Sequence, residues 1–135
     1  MGKTFSYGRK EKLKGRKLIE QVFRNGKSFA VFPIKIFYLQ PVTPLDFPVK
    51  VGVGVSARNF KKAVERNRIK RLLREAYRTE KLSLHQYLKE HNRQVIIFFL
   101  YTDKSLPDYA MLTAKISLLF EQLIKRLNEA GAANT

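Results

Sequence analysis

Cysteine is missing from this 135-residue chain, so neither a disulfide framework nor a thiolate metal site can hold it together. That absence suits a reducing, cytosolic compartment. Long hydrophobic runs are missing too: the longest, Val95 to Tyr101, has seven residues against the ~20 that a bilayer-spanning helix needs. From Met1 to Lys17 there is no apolar block of the kind a secretory signal uses. Acidic residues are scarce, 11 against 27 Lys and Arg, which leaves a net charge of +16. A magnitude of about 2–8 already keeps a small domain soluble. The excess repels itself in the compact state unless a polyanion neutralises it, and nucleic acid is the commonest polyanion. A membrane surface is the rival partner. Gly2, Ser6 and the basic residues that follow match an N-terminal acylation pattern, and one acyl chain with a polybasic patch suffices as an anchor.

What is present reads as one domain by length. Residues 1–15 form a basic tail that need not be ordered, and 16–130 form a single α+β domain. Leu18, Ile19, Val22 and Phe23 stand at helical spacing, and Asn25-Gly26 supplies a stop. Ser28 to Val31 and Ile34 to Gln40 read as extended, separated by Pro33. The prolines of PVTPLDFP, Pro41 to Pro48, suggest a hairpin loop. Val49, Val51, Val53 and Val55 then alternate with Lys50, Gly52, Gly54 and Ser56, a period-two strand with one valine face and one nearly bare face. Interior glycines weaken a strand unless something approaches its backbone, either a packed helix or a ligand. The all-apolar run Val95 to Tyr101 reads as a buried central strand. After Pro107-Asp108, a stripe of Tyr109, Leu112, Ile116, Leu119, Phe120, Leu123 and Leu127 marks the last helix. The order α-β-β-β-α-β-α predicts an α+β two-layer sandwich, with helices packed on one face of a four-stranded sheet.

Between the last two strands lies ERNRIKRLLREAYR, Glu65 to Arg78, with six basic and two acidic residues. On a helix running from Phe60 to Arg78, Ile69, Leu72, Leu73, Ala76 and Tyr77 share one side, and Asn67, Arg71, Arg74 and Arg78 the other. The early turns, with Lys61, Lys62, Glu65, Arg66 and Arg68 spread around the cylinder, should project past the core. Lys61 and Lys62 in the first turn oppose the helix dipole unless an anion sits there. Arginine forks suit phosphate. Asn67 is either a solvated polar residue or a reader of a sugar hydroxyl, since it both donates and accepts.

AVERNRIKRLLREAYR preceded by VGVGVS resembles the signature of the bacterial ribonuclease P protein subunit, whose arginine-asparagine-arginine motif stands here as Arg66-Asn67-Arg68. The resemblance runs from about Leu13 to Leu127 and includes LIEQVFRNG. It implies a fold like the second domain of ribosomal protein S5, with a left-handed β-α-β crossover against the usual right-handed rule. It also implies a protein cofactor of a ribozyme: the catalytic RNA, using Mg²⁺, removes the 5′ leader of precursor tRNA, and the protein chain alone is non-catalytic. Arg58, Lys62, Arg66, Asn67, Arg68, Lys70, Arg71 and Arg74 would face the catalytic RNA. Ile19, Phe23, Lys35, Phe37, Gly52 and Gly54 would line a groove for the leader. A cation beside an aromatic ring, as Lys35 and Phe37 on one strand face provide, is a unit of single-strand binding, with ordinary core packing of Phe23 and Phe37 as the lesser alternative. Ile19 stands where the family commonly has an aromatic residue, and Ser56-Ala57-Arg58 replaces its frequent serine-lysine-lysine.

The implied setting is cytoplasmic, without a protein or membrane partner and without a metal held by the chain. An independent enzyme is a poor fit, because His85 and His91 match neither a metal pair nor a nucleophile-base dyad and read as surface histidines. A ribosomal or other structured-RNA or DNA-binding protein without a role in cleavage is the alternative, since phosphate binding serves either nucleic acid.

Overall fold

The computed structural model describes residues 12–13, 15–41, 45 and 47–133. The acylation pattern, most of the basic tail and the middle of PVTPLDFP lie outside them. In chain order the elements are α1 (Arg16–Asn25), β1 (Lys27–Val31), β2 (Ile34–Leu39), β3 (Val49–Val55), α2 (Ala63–Glu80), α3 (Leu82–Glu90), β4 (Val95–Tyr101) and α4 (Tyr109–Ala133). The sheet runs β1-β2-β4-β3. β1 and β2, and β2 and β4, are antiparallel, whereas β3 lies parallel to β4.

β4 takes an interior place because both of its faces are apolar, and only a strand covered on both sides can bury such a run. That placement overturns the hairpin expected over Pro41 to Pro48. β2 and β3 are not neighbours, and the connection passes β4, which sits between them.

One face of the sheet carries the main core. Ile34, Ile36 and Tyr38 of β2, Val49 and Val51 of β3, and Val95, Ile97, Phe99 and Tyr101 of β4 pack against Ile69, Leu73, Ala76 and Tyr77 of α2 and the stripe of α4. Every residue of the expected α4 stripe is buried except Tyr109, whose hydroxyl donates to Thr79 Oγ1 at 3.0 Å. Asp108 caps this helix, its Oδ1 accepting from the Met111 amide at 2.7 Å.

α1 departs from the expected single helical layer and packs on the opposite sheet face, where Val22 is buried with Ile96 and Leu13. The chain leaves α1 at Gly26, whose amide donates to the Val22 carbonyl at 3.0 Å. A Cβ at Gly26 would lie 2.4 Å from that carbonyl oxygen and 2.6 Å from that of Tyr38, so the glycine is required by close approach. The packed domain also begins before residue 16: Leu13 is buried and its amide donates to the Val51 carbonyl on the edge of β3 at 2.9 Å.

α3 occupies a segment in which the sequence pattern had marked no element. Leu84, Tyr87 and Leu88 give it a buried face. His85 is half-buried, its Nε2 2.9 Å from the Tyr77 hydroxyl, so it is a packed histidine, whereas His91 is exposed and stacks on Tyr87.

Candidate nucleic-acid interface

With the core on the α2/α4 side, the other sheet face is covered only in part by α1. Because Val22 anchors α1 in the sheet, the next residue, Phe23, lands at the rim and stays 44% exposed. Its ring centroid is 4.7 Å from Phe37 of β2 and 4.9 Å from Phe98 of β4, with interplanar angles of 61° and 60°. Lys35, two residues before Phe37 and on the same strand face, holds its Nζ 5.0 Å from the Phe37 centroid. Beside the rings a cavity of about 420 Å³ is lined by Lys12, Leu13, Ile19, Gly52, Val53, Arg74 and Phe98. It joins the aromatic face to α2 around the β3 edge.

The glycines of β3 take their meaning from this face. In the parallel register Gly52 stands opposite Phe98 and Gly54 opposite Leu100. A Cβ at Gly54 would meet the Phe98 ring at 2.7 and 2.9 Å, and one at Gly52 would meet it at 2.9 Å and the Leu13 side chain at 3.2 Å. The glycines therefore accommodate an aromatic ring from the neighbouring strand, not a helix, and that ring floors the groove. All six residues expected at the leader groove, Ile19, Phe23, Lys35, Phe37, Gly52 and Gly54, come to this face. Phe98, Leu13 and Lys12 were missed. The usable signal for Phe98 was the pair of bare positions on β3, which needs an occupant once the strands are in register.

The second surface is α2 and the segment before it. The helix begins at Ala63, not Phe60. Phe60 is buried against Tyr101, with centroids 6.2 Å apart, which pulls the chain out of helical geometry and leaves Lys61 and Lys62 ahead of the first turn. The acidic residue of that turn is Glu65, and the N-cap residue, Lys62, makes no side-chain capping hydrogen bond. Arg58, Lys61, Lys62, Asn67, Arg68, Arg71 and Arg74 are exposed, Lys70 and Arg66 are half-buried, and Val64 is 79% exposed at the projecting end. Arg66 Nη1 donates to the carbonyls of Phe60 and Lys61 at 2.8 and 2.7 Å. Arg78 is engaged by Glu75, whose carboxyl the guanidinium holds below the usual carboxylate range. Among the described residues no group of three or more His, Cys, Asp or Glu is placed to hold a metal ion, and no helix is long and apolar enough to cross a membrane.

A strongly cationic helix around the sheet edge from an open, aromatic sheet face marks a class: small, basic α+β proteins whose surface suits nucleic acid. Comparison with known proteins narrows it. The sequence model of the ribonuclease P family, described as "Ribonuclease P", matches residues 7–124. The ribonuclease P protein component of Porphyromonas gingivalis is 37% identical over 106 residues, spanning 78% of this chain and 77% of that protein. That of Chlorobium phaeobacteroides is 35% identical over 129 residues, spanning 88% and 87%. The ribonuclease P protein of Thermotoga maritima superimposes with a TM-score of 0.64 at 21% identity, covering 83% of this chain and 96% of that one, a likeness of fold. This chain belongs to the ribonuclease P protein component family.

Proposed function

We propose that the chain is the protein cofactor of ribonuclease P, the endoribonuclease that removes 5′ leaders from precursor tRNA, and that it works by holding RNA on two surfaces while the catalytic RNA, with its Mg²⁺, performs the hydrolysis. Arg58, Lys62, Arg66, Asn67, Arg68, Lys70, Arg71 and Arg74 form the surface for the catalytic RNA. Phosphates there displace condensed counterions, which makes the affinity fall steeply with salt. Ile19, Phe23, Lys35, Phe37, Gly52 and Gly54, now with Phe98, form the groove for the leader, where stacking contributes about 1–3 kcal/mol per base. The setting proposed is the cytoplasm.

The observation that carries this reading is the Phe23-Phe37-Phe98 cluster with Lys35 over one ring, on a sheet face that α1 leaves partly open. A purely structural core would close over these rings. A protein that bound only folded RNA or duplex DNA through α2 would have no use for them. The test is the affinity of the reconstituted protein-RNA complex for precursor tRNA against mature tRNA, with wild-type chain and with Phe23→Ala. Tighter binding of the precursor that Phe23→Ala abolishes is expected. Equal affinities for the two tRNAs in the wild type would overturn the leader groove.

A further inference from the structure

Arg66 and Arg68 flank Asn67 in one motif, yet their guanidiniums do different things. Arg68 is exposed on α2. Arg66 folds back, and its Nη1 donates to the carbonyls of Phe60 at 2.8 Å and Lys61 at 2.7 Å. Its main-chain amide donates to the carbonyl of Lys62 at 3.2 Å, so one residue collects three successive carbonyls. The first two belong to the extended chain ahead of Ala63, where no helical turn supplies a donor. A cation here opposes the helix dipole, and charge-assisted bonds to two carbonyls offset that cost.

The same segment is tied at its other end. Asn59 Nδ2 donates to the carbonyls of Thr102 and Asp103 at 3.1 and 3.4 Å, just past β4, and Phe60 is buried. Between and around these ties stand Arg58, Lys61 and Lys62, all exposed. We infer that Arg66 is a positioning residue: its Nη1 braces the segment from Ser56 to Lys62 so that Arg58, Lys61 and Lys62 present one fixed array of charge beside the start of α2. The inference rests on the proposal that this surface binds the catalytic RNA. It makes the two arginines of the motif unequal, one acting through the backbone and one through its own charge.

Lysine separates the two roles. It keeps the charge, but its stem ends about one bond short of the arginine Nη position and carries no planar fork. The affinity of the full chain for the catalytic RNA is measured for wild type, Arg66→Lys, Lys62→Ala and their double variant, with Arg71→Ala and Arg66→Lys/Arg71→Ala as the distant pair. Arg66→Lys is expected to weaken binding about three- to tenfold despite unchanged net charge, and Lys62→Ala to cost less in the Arg66→Lys background than in wild type, while the effects at 66 and 71 simply multiply. Wild-type affinity in Arg66→Lys, multiplicative losses at 66 and 62, or equal coupling to 62 and 71 would each overturn the positioning role. Wild-type affinity in both Lys62→Ala and Arg71→Ala would instead overturn the RNA surface itself, and the inference with it.

Discussion

At the scale of single residues, the absence of a side chain decides the shape of the groove. Gly54 leaves room for Phe98, and an added methyl would sit 2.7 Å from the ring. Because Phe98 is also held by Phe23, the ring cannot swing aside freely. Gly54→Ala should therefore cost about 1–3 kcal/mol of stability, as overpacking does, and should reduce discrimination for leader-bearing tRNA more than affinity for the catalytic RNA. Denaturant unfolding and the two binding assays check it. The bare strand face was legible in the sequence, but its occupant was not, because VIIFFLY is apolar at every position and its period says nothing about which rings face which side. Tyr101 gives a second prediction. Its hydroxyl donates to the Ser105 carbonyl at 2.6 Å, and burial, with Asp103 nearby, pushes its pKa up to about 12. In the unfolded chain it ionises near ~10. The raised folded value means that its contribution is complete below pH ~10 and is lost as pH rises through ~12. Tyr101→Phe should cost about 0.5–1.5 kcal/mol at pH 7 and should flatten the loss of stability above pH ~10, measured by urea unfolding across that range.

At the scale of elements, α2 divides its labour by face. Ile69, Leu73, Ala76 and Tyr77 are buried, and Asn67, Arg68, Arg71 and Arg74 are exposed. Leu73→Ala should cost about 2–5 kcal/mol of stability. Arg68→Ala and Arg71→Ala should leave unfolding nearly unchanged and should each flatten the dependence of log affinity on log salt by about 0.7–0.9 for every phosphate left unneutralised. Unfolding curves and binding at several salt concentrations separate the two. This division was legible from the 3.6-residue period alone. The start of the helix was not rightly placed at Phe60, which on the wheel falls among Asn67, Arg71 and Arg78, opposite Ile69 and Ala76; its burial against Tyr101 shows that it belongs to the preceding turn. Nor was the place of β3 legible: prolines after one strand and before the next look the same whether the strands pair directly or have β4 between them. α3 escaped because Leu84, Tyr87 and Leu88 are too few to stand out among polar neighbours, and α2 reaches it across Lys81 with nothing resembling a stop.

At the scale of the whole molecule, the charge that serves binding works against the free fold. With 27 basic and 11 acidic residues the net charge is +16. A folded chain of this length has a radius of gyration of about 14 Å, while the screening length is about 30 Å at 0.01 M salt and about 8 Å at 0.15 M. At the lower concentration each cation feels nearly every other; at the higher one only its neighbours. Salt should therefore act with opposite signs on the two properties. The affinity for RNA should fall as salt rises, because counterion release loses its advantage. The Tm of the free protein should rise over the same interval, because self-repulsion is relieved in the compact state more than in the expanded one. Thermal unfolding followed by circular dichroism at about 0.01 and 0.15 M sodium chloride checks this, and a Tm that is flat or falls would mean that local pairings already neutralise the excess. The distribution of charge argues against that: Glu75 is taken up by Arg78 on its own helix, and the long basic series from Arg58 to Arg74 has only Glu65 among it to answer the charge.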